Sequence, residues 1–554
     1  MIPLELGHYH HSRYLDMIED RREVEEWWQE ISEKVLPRKS YVTEANDGFA
    51  DNAKFRRLVD TTAVDACQTL ANGHSSYITP ADQRWFYWSA PERVKTDEVE
   101  GWYRHCSTLA AMEISSSNFY TNLDEAYLDR SGFGIATFSA WPSRAGGLNV
   151  QVHPVNSYTI EESEEGYVDT IYFLIEKGIR QLVLLLGEDN IQKSEKLATS
   201  WKEYKMKGRN KKHRVLHCVY PREMDERELG SRESRHMPYG SIYICYESKV
   251  VLDNSGFQEN PYCSSRYLKH SGRGNQYGFS PAWRSMPVID QLNFFGKVRN
   301  LVAEKQAVPS ILYPDYMEGD IDLRGGGATA FKAGKTAGSY HLPHEWGNQG
   351  RYDVTAEEMR HLQEGVKAAF HVDLFKMFAE MDRAAQMTRL EVGERASEKM
   401  VQFAPSFTRF TADFQTFMNR IFGILLRQGK FPPPPDGAIV PDPYTGKPGI
   451  ENPQVIYQSK IALALQQLQN SGADQMMERA LGVSAVAPEV LDNINLDQWI
   501  RSSGRNDGVH ESLFHESDHV EAIREARSQQ QEQERQLAMA EQAASAAGKV
   551  GMTV

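Results

Sequence analysis

Between residues 280 and 428 the sequence alternates long helical periodicity with one glycine-rich break, and this alternation limits the possible folds more than any other feature. Ser280-Pro281 supplies an N-cap followed by proline in the first turn. Past Pro287, which is expected to kink or restart the helix, apolar residues recur at Val288, Leu292, Phe295, Val298 and Val302. Asp290, Asn293, Lys297, Asn300 and Glu304 recur on another face, and Pro309 ends the helix. That rod is roughly 33 Å long at about 1.5 Å per residue. A capping box at Thr355-Ala356-Glu357-Glu358 opens a second helix carrying Met359, Leu362, Val366, Phe370, Leu374, Phe378 and Met381. Another box, Thr388-Arg389-Leu390-Glu391, reopens helix shortly afterwards. Between the first two helices, residues 309–353 hold eight glycines and only short apolar runs. The result is a hairpin that projects from a body, a shape better suited to a ring assembly than to a catalytic pocket.

The remainder divides by periodicity. Residues 12–36 read as an amphipathic helix with Tyr14, Ile18, Val24, Trp27, Ile31 and Val35 on one stripe, ended by Pro37. A helix is expected over about 52–72, through Phe55, Val59, Ala63, Ala66 and Leu70, and another over 94–130. Strand-forming runs occupy 134–141, 148–175, 214–220 and 241–252, with a polar loop around 221–236, so an antiparallel sheet module sits between helical parts. After Thr388, the residues Phe407, Phe410, Phe414, Phe417, Ile421 and Leu425 form a helical stripe, which core packing explains better than a membrane or cofactor surface. Gly429 caps that helix and Pro432 to Pro435 terminate it. A helical unit is expected over 453–500, then a polar Gln, Glu and Ala-rich helix over 518–543. The fold class is α+β, predominantly helical.

Charge and composition remove several functions. Lys and Arg number 62 against 76 Asp and Glu, a net of −14. That opposes a basic nucleic-acid clamp, whose affinity comes from neutralising phosphates, yet suits a protein that DNA must pass without sticking. Five scattered cysteines without a CxxC read as reduced thiols in a cytoplasmic setting. No secretory signal opens the chain, and the longest apolar run, Leu182 to Leu186, is too short to span a bilayer. Gly334-Lys335-Thr336 fails as a phosphate loop because Thr329 stands where glycine is required. His8, His10 and His11 lack ligand-spaced partners and read as a mobile terminal segment, while Glu161-Glu162 and Glu164-Glu165 read as a solvated loop. No GxSxG, HExxH or Asp-rich metal constellation occurs. No catalytic residue, metal site or cofactor is expected.

Several segments, in order, resemble the portal proteins, or head-to-tail connectors, of short-tailed bacteriophages. They are Arg21-Arg22 leading to Trp27 and Val35-Leu36-Pro37, Asp60-Thr61-Thr62-Ala63, Leu70-Ala71, and Thr79-Pro80 before Trp85-Phe86. Asn260-Pro261, Arg266-Tyr267, Tyr277-Gly278, Ser280-Pro281-Ala282 and Gln291-Leu292-Asn293 continue the series. Asp373-Leu374-Phe375 and Met387-Thr388-Arg389-Leu390-Glu391-Val392, leading to Glu394-Arg395 and Glu398-Lys399, complete it. Arg389 and Leu390 depart from the small residue usual there, and the match covers roughly residues 12–430.

The resemblance implies a portal fold assembled as a dodecameric ring at one capsid vertex, through which double-stranded DNA is packaged and later ejected. It implies a wing over 1–284, stem helices over 285–308 and 354–386, and a clip over 309–353. A channel loop and long wing helix would fill 387–450, and a C-terminal crown 451–554. Implied partners are the terminase packaging motor, the scaffold and major capsid protein, and a tail adaptor or tail tube protein, with no membrane. The DNA-facing residues would be Arg383 and Arg389 on the channel loop, with Lys297 and Arg299 as a second belt of which only one can point inward. An ordinary turn, whose arginines pair with acids such as Asp382 and Glu391, accounts for the loop equally well. The competing functions are a capsid or adaptor protein without a channel, and a packaging ATPase.

Overall fold

Helix formation starts earlier than the apolar periodicity suggests. In this computed structural model, which describes residues 3–39, 57–143, 146–223, 233–270, 276–307, 310–312, 344–346, 352–381, 386–441, 448–459, 517–550 and short stretches at 42–43 and within 476–504, α1 spans Pro3–Lys34. His8, His10 and His11, expected in a mobile terminal segment, therefore lie on a helix. His10 and His11 are buried, His10 with a ring nitrogen 2.5 Å from the Tyr172 hydroxyl. The core stripe also shifts by one residue. Trp28 is fully buried and donates to the Phe133 carbonyl at 3.0 Å, whereas Trp27 stays at the surface beside Trp283. Tyr14, Met17, Arg21, Val24, Trp28, Ile31 and Val35 are buried at alternating spacings of three and four, a row that position 28 continues and Trp27 leaves.

Next come α2 (Thr62–Tyr77), β1 (Phe86–Ser89), α3 (Asp97–Ser116) and α4 (Phe119–Phe133). The helix expected near 52–72 is described only from residue 57, and α2 begins where Asp60 accepts the Thr62 amide at 2.9 Å. The helix expected over 94–130 is two helices. Thr96 caps the first by accepting from the Val99 amide, and Ser117 restarts the chain by accepting from the Phe119 amide. Strands β2 (Ile135–Pro142) and β3 (Leu148–His153) then form an antiparallel pair.

A second, five-stranded antiparallel sheet is made by β4 (Tyr158–Glu162), β5 (Val168–Gly178), β6 (Lys212–Pro221), β7 (Tyr239–Cys245) and β8 (Val251–Phe257), in sequence order. Three helices, α5 (Ile179–Leu186), α6 (Glu188–Gln192) and α7 (Glu195–Lys207), interrupt it between β5 and β6. The pleat sends successive side chains to opposite faces. Leu216 and Cys218 on β6 pack with Tyr172, Ile242 and Ile244 beneath Tyr14 and Met17 of α1. Val215, Cys245 and Leu252 take the other face with Ile179, Leu182, Ile191 and Leu197. The sheet is therefore sandwiched between α1 and the α5–α7 layer.

Strand β9 (Tyr262–Arg266) joins β2 on the edge opposite β3, and the short pair β10 (Leu268–Lys269) and β11 (Gly278–Phe279) follows. Gly134, at φ +87° behind α4, crosses Gly278 so closely that a methyl on either would overlap the other's carbonyl group. Then come α8 (Pro281–Ala307), β12 (Ser310–Leu312), β13 (His344–Trp346), α9 (Tyr352–Ala369), α10 (Val372–Met381) and α11 (Gln386–Arg427). The aromatic stripe of α11 is core: Phe410, Phe414 and Phe417 are buried against Tyr127, Trp85, Phe119 and Phe138. Gly429, at φ +68°, ends α11 with Lys430 N–H on the Leu425 carbonyl and Gly429 N–H on Leu426, a Schellman arrangement.

Strands β14 (Ile439–Pro441), β15 (Pro448–Ile450) and β16 (Gln454–Tyr457) complete the body. Residues 454–457, expected within a helical unit, form a strand that pairs with β1, Phe86 opposite Tyr457 and Ser89 opposite Gln454. Residues 1–461 make one unit; residues 462–554 make a second, which includes the polar helix α12 (Ser517–Val550). Among the described residues no helix is long and apolar enough to cross a membrane.

Candidate functional site

Helices α8 and α9 form the two arms of the hairpin, which is fixed to the body by residues whose cooperation the sequence does not reveal. Asn293 lies at mid-length on α8. Its side-chain oxygen accepts from the amides of Val59 (3.2 Å) and Asp60 (3.4 Å), and its nitrogen donates to the Ile289 carbonyl at 3.1 Å. Asp60 in turn accepts from Gln363 of α9 at 2.7 Å. One polar knot thus ties both hairpin helices to the segment leading into α2. Beside it, Gly296 lets α8 approach closely: a Cβ there would sit 2.7 Å from Val59 and 3.8 Å from Met359 of α9.

Pro287 sits inside α8, which continues through it without the expected restart. The returning helix differs in two ways from its expected course. It begins at Tyr352, three residues before the capping box, and it breaks at His371, whose φ of +53° divides α9 from α10. The break turns Phe375 into the body, where it covers Gly73 of α2 too tightly for any side chain there. His74, fully buried beside Phe375, Phe403, Tyr127 and Tyr267, completes this joint. Burial, with Arg130 and His371 nearby, holds His74 well below the ordinary histidine range, so it packs as a neutral ring.

At the far end, β12 and β13 close the hairpin, with Ser310 opposite Trp346 and Leu312 opposite His344. Residues 313–343, which include Gly325-Gly326-Gly327 and Gly334-Lys335-Thr336, lie outside the described residues.

The expected DNA-facing residues are placed unequally. Lys297 is exposed on α8, on the row that also exposes Phe294 (62%) and Leu301 (51%). Arg299 is half-buried and stands about 200° further round the helix, so the two present different sides. Helix resumes at Gln386, which makes the segment between α10 and α11 shorter than Met381 to Glu391. Arg389 is therefore on the first turns of α11, and Arg383 falls in 382–385, outside the described residues. Among the described residues no group of His, Cys, Asp and Glu could hold a metal ion, and all five cysteines are buried and unpaired. Among its described residues the hairpin offers surface and length, with no assembled nucleophile or acid–base pair.

The chain matches the family model for the bacteriophage head to tail connecting protein over residues 9–514. It is 26% identical over 543 residues to a protein described as a probable portal protein of Bordetella phage BPP-1, covering 96% of this chain and 93% of that one. It is 24% identical over 548 residues to the portal protein of Salmonella phage epsilon15, with the same coverages of 96% and 93%. A solved neck of an empty GTA particle aligns with 56% of this chain and 64% of its own, at a TM-score of 0.24 and 11% identity, too distant to carry an argument.

Proposed function

The chain belongs to the bacteriophage head to tail connecting protein family, whose members are structural connectors of the virion and not enzymes, and from that premise we propose that it forms the portal ring of a capsid vertex. Twelve copies surround a channel through which DNA enters during packaging and leaves on ejection. Residues 1–284 make the wing, 285–308 and 354–386 the stem, 309–353 the clip, 387–450 the channel-lining turn and long wing helix, and 451–554 the crown. The clip meets the terminase packaging motor and later a tail adaptor or tail tube protein, while the wing meets scaffold and major capsid protein. The observation that carries this reading is the α8–α9 hairpin, tied to the body through Asn293, Asp60 and Gln363 and closed at its far end by β12 and β13.

Electron microscopy of the purified chain tests the reading directly. A closed ring with a central hole is expected; monomers or shells overturn it and return the function to a capsid or adaptor protein without a channel. Inside such a ring, Arg383 and Arg389 repeat as a belt that touches phosphates without reading bases, and Lys297 forms a weaker second one. Replacing both arginines with alanine should leave rings intact and lower the amount of genome packaged per head. Normal packaging by the double variant makes those arginines structural.

A further inference from the structure

The sandwiched five-stranded sheet carries opposite charge on its two helical layers. Along α1, nine acids face four cations, a net of −5; over residues 179–212, nine cations face four acids, a net of +5. On α1 the surplus is directed outward: Asp16, Glu19, Asp20, Glu23 and Glu26 are exposed, and none makes an ion pair among the described residues. Only Arg22 interrupts them on that surface. On the opposite layer, Lys205 and Lys211 are spent on Glu188 and Glu203, at 2.6 and 2.7 Å. Arg180, Lys202, Lys207 and Arg209 remain exposed with no such partner among the described residues. Each layer also exposes apolar side chains amid its charges, Leu15 on α1 and Leu184, Leu185 and Met206 opposite, the last at 80%.

We propose that these two layers are the two halves of one contact between neighbouring copies of this chain, the acidic α1 face of one subunit seated on the basic α5–α7 face of the next. The physical grounds are specific. A surface that is acidic on one side and basic on the other repels a copy presented face to face and attracts one presented head to tail. Head-to-tail contacts are heterologous, and a heterologous contact closes into a ring when its repeated rotation completes a full turn without a rise. Like charges meeting in the symmetric arrangement cost enough to suppress it, so the pairing sets the direction of assembly as well as assisting it. Leu184, Leu185, Met206 and Leu15 supply the apolar centre of the contact, and the lysines, arginines and acids its rim. The contact is formed through exposed charges, so it weakens with salt.

The inference rests on the ring reading, and the test separates the two. One variant, R180E/K202E/K207E/R209E, makes both layers acidic; a second, D16K/E19K/D20K/E23K/E26K, makes both basic. Every altered residue is exposed, and circular dichroism checks that each variant folds. Ring populations are counted by electron microscopy at low salt, where the unaltered chain forms rings. Each variant alone should lose rings by roughly tenfold or more. An equimolar mixture should recover them, because acidic and basic subunits can alternate. If either variant alone forms rings as the unaltered chain does, or if the mixture does not recover, the proposal fails while the ring reading stands. The same holds if the acidic variant keeps its rings and instead loses retention of double-stranded DNA on filters, which makes the basic layer a nucleic-acid surface. An unaltered chain that forms no ring removes the ring reading itself.

Discussion

Gly134 and Gly278 sit at a backbone crossing with no room for a methyl group, between the end of α4 and the start of β11. Gly278→Ala is expected to cost roughly 3 kcal/mol, because the obstructing atoms are backbone and cannot rotate away; urea unfolding measures it. Histidine burial sets a second residue-scale property. Burial pushes His217 down to about 3, helped by His153, and pushes His153 and His10 down to about 4, helped by Lys177 and Arg13 respectively. An unfolded chain takes up these protons near pH 6.5. Between there and about pH 4 the unfolded state binds more protons than the folded one. Stability is full above pH 6.5 and falls by about 1.4 kcal/mol per unit for each histidine as the pH drops. Melting temperature should decline steadily over that range. His217→Gln, which keeps an amide to serve Ser241 and Tyr262, should remove one histidine's share of the slope; an unchanged slope shows that His217 does not stay neutral.

At the scale of elements, the hairpin depends on its foot. Asn293→Ala leaves two amides without their acceptor and should cost about 1–3 kcal/mol, seen as a lower denaturant midpoint together with easier proteolysis between α8 and α9. Asn293 is also where the sequence stops being readable. Its presence on a polar row of α8 is plain from periodicity, but Val59 and Asp60, its partners, stand more than 230 residues away and no local pattern points to them. Long elements are legible because their periodicity repeats many times, and α8 and the Phe face of α11 accordingly fall where expected, while α9 starts three residues early and ends before His371. Short ones fail for the opposite reason: α6 has five residues, fewer than two turns of signal. Trp28 shows the further limit that a stripe locates the buried side only to within one position, and His10 that a helix can begin well before its apolar periodicity does. The break at His371 depends on a single backbone angle that helix-forming neighbours conceal. Of the candidate site, the hairpin itself was readable in the sequence. Which face of it would line the proposed channel was not, since Lys297 and Arg299 differ only in rotation about one axis.

On the scale of the whole chain, β1 and β16 are sequence-distant strands that close the body. A chain ending at Ile461 retains that ladder and should unfold in one cooperative transition, since residues 1–461 form a unit of their own. A chain ending at Ile450 loses β16, with buried Val455 and four ladder pairs, and should be less stable by about 3 kcal/mol or more. Calorimetry of the two decides whether β16 is integral. The pairing also imposes an order in time. Phe86 leaves the ribosome some 370 residues before Tyr457, its opposite number. At about 5–20 residues per second, β1 spends tens of seconds after its own synthesis without the strand that covers it. A nascent chain therefore carries an unfinished aromatic edge until residues 454–457 have been made.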